Sequence, residues 1–136
     1  MLPKKPLQIY LAEDNLDHRE LVEDMLENSE LSYRLIHAPN GLVLLDLLKK
    51  NTDTIDLILL DIKMPQMGGL ETLSRLRTAE IYKDIPIVII TTSTMTSDIS
   101  KATNLGATQF LTKPLSFSDI RPYIFRDGIG YAHSTD

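Results

Sequence analysis

Three carboxylates and one ammonium stand where apolar runs give way to turns. Glu13 and Asp14 follow the run Leu7–Ala12, Asp61 follows Leu57–Leu60, and Lys113 stands between the short run 109–111 and Pro114. Two carboxylates about 4 Å apart repel by roughly 4 kcal/mol at an effective dielectric of about 20. A third raises the cost further, unless one keeps its proton. A hard cation removes the conflict. Mg2+ takes oxygen ligands, one or two of them carboxylates, and completes its shell with water and phosphate oxygens. Glu13, Asp14 and Asp61 are therefore a candidate Mg2+ site, and no adjacent His or Cys points to zinc. Phosphoryl transfer also needs an acceptor and neutralised charge. Asp61, at the end of the central buried run, is the best acceptor candidate. Lys113 and the hydroxyl of Thr91 would face the transferring oxygens.

For these groups to meet, the chain must bring distant run-ends to one edge. Strand-like runs lie at 7–12, 33–37, 57–60, 87–90 and 109–111. The runs 57–60 and 87–90 are continuously apolar, as in strands covered on both faces. Helix signals alternate with them. One helix, capped by Asp14 or Asn15, runs to about Asn28 with Val22, Met25 and Leu26 on its inner stripe. A second opens at Asn40-Gly41, turns Leu44, Leu45, Leu47 and Leu48 inward, and ends near Lys49-Lys50. A third spans 70–80 with Leu70, Leu73, Leu76 and Ile81 inward. A fourth, capped by Thr96 or Ser97, ends at Leu105-Gly106. A fifth, capped by Ser116, runs to about Phe125.

Strict alternation implies an α/β fold: one five-stranded parallel sheet, doubly wound, with helices on both faces. In such sheets the functional crevice lies outside the carboxyl ends of the strands. The expected organisation is a lead at 1–6, one domain at 7–126 and a poorly ordered tail at 127–136.

Composition bounds the function. The chain has 136 residues, enough for one domain, with 43% hydrophobic and 24% charged residues. A net charge of −5 argues against direct nucleic-acid binding. Apolar runs fall far short of the roughly 20 residues of a membrane helix, and no signal peptide is legible. No cysteine is present, which fits a reducing compartment. The expectation is a cytoplasmic protein away from membranes.

The sequence resembles the receiver domain of bacterial two-component response regulators over residues 7–125. Four pieces in order carry the resemblance: Glu13-Asp14-Asn15; the run from Leu60-Asp61-Ile62-Lys63 through Met64-Pro65-Gln66-Met67-Gly68-Gly69; Thr91-Thr92-Ser93; and Phe110-Leu111-Thr112-Lys113-Pro114. The resemblance implies a flavodoxin-like (βα)5 fold and a single-domain response regulator. In it Asp61 takes a phosphoryl group from a phosphohistidine. Glu13, Asp14, Asp61 and the Lys63 backbone carbonyl hold Mg2+. Thr91 and Phe110 switch on phosphorylation, and Lys113 pairs with the phosphoryl group before a cis bond to Pro114. A sensor histidine kinase or histidine phosphotransfer protein would dock near Asn15, His18, Leu21, Pro114 and Leu115. With no output domain expected after Phe125, the signal would pass to another protein or onward in a relay. The fourth helix, fifth strand and fifth helix would form the readout face and a possible homodimer surface. Apart from self-phosphorylation and self-dephosphorylation, no enzyme activity is expected.

Some positions depart from the family's usual residues. Glu13 replaces the commoner Asp, Gly68 stands where Asp or Asn is frequent, and Thr92 where Ala or Gly is common. Lys63 and Ser93 occupy positions that tune dephosphorylation in the family. His18 reads as an exposed helix-start residue that helps docking rather than an internal phosphodonor. His37 reads as a satisfied strand-end residue. Two other functions fit less of the pattern. A haloacid-dehalogenase-type phosphohydrolase wants a second Asp where Lys63 stands. A flavodoxin-type cofactor binder wants a Gly- or Ser/Thr-rich phosphate loop where Glu13-Asp14-Asn15 stands. A phosphorylation-independent binding module of receiver shape remains the closest alternative.

Overall fold

The computed structural model describes residues 5–124. Its elements run β1 (Leu7–Ala12), α1 (Leu16–Glu27), β2 (Tyr33–Ala38), α2 (Gly41–Lys50), β3 (Leu57–Leu60), α3 (Gly69–Thr78), a 3-10 turn (Glu80–Tyr82), β4 (Ile87–Thr91), α4 (Thr96–Asn104), β5 (Gln109–Thr112) and α5 (Phe117–Ile124). All strand pairs are parallel, in the order β2-β1-β3-β4-β5. This is the doubly wound α/β sheet expected from the alternation. The expected tail and the first residues of the lead lie outside the described residues.

Apolar alternation decides which face each residue serves. Tyr10, Ile58, Leu60, Ile87 and Ile89 join Leu44, Leu48, Leu73, Leu76 and Ala102 in one core, beneath α2, α3 and α4. Ile9, Leu11, Leu57, Leu59, Val88 and Ile90 join Val22, Leu26 and Ile120 in the other, beneath α1 and α5. All four residues of β3 are fully buried, and each such side chain contributes about 1.5–3 kcal/mol of burial as an upper estimate. β3, like β4, is buried along its whole length, and Asp61 follows it directly.

Two local expectations are corrected. Ile81 does not face inward but is 78% exposed, because α3 stops at Thr78 and a 3-10 turn takes the chain off the helical stripe. The N-cap of α4 is Met95, not Thr96 or Ser97, and it makes no side-chain cap bond. Ser93 serves that end instead, accepting the Met95 amide at 3.2 Å and donating to Asp98 at 2.8 Å. Leu45 and Leu47 turn inward as expected, partly buried against the first core.

The caps of α1 and α2 and the close of α4 follow the sequence. Asn15 and Asn40 cap α1 and α2 by accepting the amides of His18 and Val43, each at 3.0 Å. Gly106, at φ 99°, closes α4 in the left-handed region that disfavours other residues.

Candidate functional site

The strand order reverses its direction of winding between β1 and β3, and the crevice at such a point lies beyond the strands' carboxyl ends. β1 delivers Glu13 and Asp14 there, β3 delivers Asp61, β4 ends in Thr91, and β5 leads into Lys113. Oxygen atoms of Glu13, Asp14 and Asp61 lie within 4.8 Å of one another. Glu13 and Asp61 are buried and Asp14 is exposed, so the group opens to solvent on one side.

Lys113 ties the buried acids together. Its ammonium donates to Asp61 Oδ2 at 3.0 Å and, by a short contact, to Glu13 Oε1. The Lys113 side chain is 9% exposed and the Glu13 side chain is fully buried. Its peptide bond to Pro114 is cis. Asp61 is further fixed by its other oxygen, which accepts the Ile62 amide at 2.7 Å. Among the described residues no buried side-chain nitrogen or oxygen lacks a hydrogen-bond partner.

Glu13 is braced from three directions. Its Oε2 accepts the Asn15 amide at 3.1 Å. Its own amide donates to the Ala38 carbonyl at 3.0 Å, and its carbonyl accepts from His37 Nε2 at 2.7 Å. His37 is therefore satisfied, as read, and its partner is the acidic turn itself. Burial pushes the Glu13 carboxyl above the ordinary glutamate range; the Lys113 bond pulls the other way without cancelling it.

Thr91 is 2% exposed and closes β4, whereas Thr92 is exposed. That contrast favours Thr91 as the inward hydroxyl. Phe110 is half-buried against the first core. Lys63 lies in the β3–α3 loop with its side chain exposed. Of the expected docking residues, His18, Leu21, Pro114 and Leu115 line one cavity of about 260 Å³. Asn15 is used as the α1 cap. Val22 and Thr92 also line the cavity and were missed.

His18 differs from its reading as an exposed helix-start residue. Its Nδ1 lies 2.9 Å from Lys113 Nζ, and its side chain is 33% exposed. The available signal was its place in the first turn of α1, close after the strand end that carries Glu13 and Asp14.

The donor chemistry fits a hard divalent ion: three carboxylates, two of them held in place by hydrogen bonds, with one face toward solvent.

Sequence relatives match most of the chain, and a solved structure shares its fold. The chain is 31% identical over 120 residues to the two-component response regulator-like protein PRR73 of Oryza sativa subsp. indica, a match covering 88% of this chain and 15% of that protein. It thus spans only a small part of some relatives that it matches. It is 32% identical over 111 residues to the polar-differentiation response regulator DivK of Brucella anthropi, covering 82% and 87% of the two chains. The solved Mn2+-bound form of response regulator Rcp1 superposes with a TM-score of 0.75 at 29% identity, covering 94% of each chain. The family model for the response regulator receiver domain matches residues 9–125. Since that match takes in every strand-end group described above, the chain belongs to the response regulator receiver domain family.

Proposed function

We propose that Asp61 accepts a phosphoryl group from a phosphohistidine on a sensor histidine kinase or histidine phosphotransfer protein. One observation carries this reading: the Lys113 ammonium sits 3.0 Å from Asp61 Oδ2, beside three clustered carboxylates. An Asp61 oxygen forms the new O–P bond as the N–P bond of the donor breaks, and the departing imidazole nitrogen keeps the electron pair and takes a proton. Glu13, Asp14, Asp61 and the Lys63 carbonyl would hold Mg2+, which supplies charge neutralisation at the phosphoryl oxygens. The Mn2+-bound relative supports a divalent ion here.

The acyl phosphate adds about two negative charges. Lys113 and the Thr91 hydroxyl bind that charge better in one conformation, shifting the population toward it. Phe110, half-buried on β5, follows Thr91 as the second switch residue. Exposed Met95, at the N-cap of α4, and Ile99 on α4 support the α4–β5–α5 side as the surface for a downstream protein or for self-association. The chain acts as a switch in two-component signalling rather than as a turnover enzyme. The cytoplasm is the proposed compartment; none of the described helices is long and apolar enough to cross a membrane.

Incubation with acetyl phosphate and Mg2+, read by intact mass, tests the reading. The parent is expected to gain one phosphoryl group and Asp61→Asn none. No gain in the parent would favour the phosphorylation-independent binding module.

A further inference from the structure

An ammonium has three protons to donate and nothing with which to accept. Around Lys113 Nζ stand three acceptors: Glu13 Oε1, Asp61 Oδ2 at 3.0 Å and His18 Nδ1 at 2.9 Å. Two of these belong to the acids of the site. The third comes from α1, ninety-five residues away in sequence. Because the ammonium can only donate, His18 Nδ1 carries the lone pair and the ring proton sits on Nε2. The ring and Lys113 both line the 260 Å³ cavity.

We infer that His18 is a positioning residue for Lys113, holding its ammonium over Asp61. The inference rests on the phosphoacceptor reading for its consequence but not for its geometry. Glu13 and Asp61 alone leave the third ammonium proton to water. His18 satisfies that proton with a neutral acceptor. A neutral acceptor fixes the direction of the lysine without adding a fourth negative charge to the site. It also yields readily when a phosphoryl oxygen arrives to take the same proton.

Two substitutions separate this role from simple space filling. His18→Leu keeps apolar bulk and removes the acceptor. His18→Asn places an amide oxygen near the former Nδ1. Exchange of the Lys113 ammonium protons with water, followed by NMR on protein labelled with 15N-lysine and assigned with Lys113→Met, reads the positioning directly. Exchange is expected to rise about tenfold in His18→Leu, in line with the loss of a hydrogen bond to a charged group, and to return toward the parent in His18→Asn. Phosphoryl uptake from acetyl phosphate is expected to slow in His18→Leu and to recover in His18→Asn, with thermal melts confirming that both variants fold. Equal ammonium exchange in parent and His18→Leu overturns the inference. Failure of the parent to take up phosphoryl overturns the functional reading instead, and the exchange comparison still decides the role of His18.

Discussion

The Thr91 hydroxyl accepts the Ser93 amide at 3.2 Å, so the side chain that ends β4 also anchors the turn into α4. The Ser93 hydroxyl then donates to Asp98 and accepts the Met95 amide. Ser93→Ala removes the serine hydroxyl while leaving the Thr91 contact. The expected cost is about 1 kcal/mol, the usual value of a lost helix cap, seen as a lower urea midpoint at unchanged slope. Amide exchange at Asp98 and Ile99 should rise with it; an unchanged midpoint and unchanged exchange would refute the capping role.

Gly69 opens α3 directly against the carbonyl of Asp61. A Cβ at that position would overlap the Asp61 carbonyl oxygen and crowd Ile62 Cα. The obstruction is backbone, so it cannot rotate aside. Gly69→Ala should therefore destabilise the fold by about 1–3 kcal/mol or more and slow phosphorylation by moving Asp61. Gly68→Ala meets the Ile62 carbonyl less closely and should cost less. Denaturation midpoints of the two variants check the order.

Glu13 gives the metal-free protein a pH dependence of defined sign. Its carboxyl is raised above the ordinary value of 4.5, chiefly by burial. Between that value and the raised one, the folded chain binds more protons than the unfolded chain. Stability from this group is therefore complete below the ordinary glutamate range and is lost as pH rises through the folded value. Urea midpoints of the parent in chelator should fall relative to Glu13→Gln as pH rises from about 4.5 to about 7. Parallel midpoints across that range would contradict the assignment.

Arg77 joins three pieces of chain away from the site. It donates to the carbonyls of Gly106, Tyr82 and Lys83 and to the Thr108 hydroxyl, at 2.8–3.3 Å. Thr108 in turn accepts the Ile87 amide at 2.9 Å, at the start of β4. Arg77→Met keeps the aliphatic stem and should cost about 1.5–3 kcal/mol, the range for hydrogen bonds to a charged group. Metal affinity should not change. A variant as stable as the parent would show that water replaces these bonds without loss.

The frame was legible because its signals are local. β3 and β4 are unbroken apolar runs, and Asn15 and Asn40 sit where helices begin, so order and facing followed directly. The acids and the lysine were legible as strand-end residues. Their connections were not. Glu13 meets Lys113 across 100 positions, and no periodicity encodes which oxygen an ammonium will choose. His18 was misjudged because a helix-start histidine on a polar stretch ordinarily faces water. Ser93 was overlooked as a cap because it lies three residues before the helix, outside the usual capping position. Ile81 kept the apolar spacing of α3 after the helix had ended.

Lys113 follows the last strand, and this order has a consequence during synthesis. A ribosome-bound chain that has already paired β1 with β3 holds Glu13 and Asp61 side by side with no cation from its own sequence between them. Until the C-terminal segment docks, those acids face each other bare, and Asp61 lacks its lysine. The ammonium that joins Glu13 to Asp61 is therefore in place only once the sheet is complete.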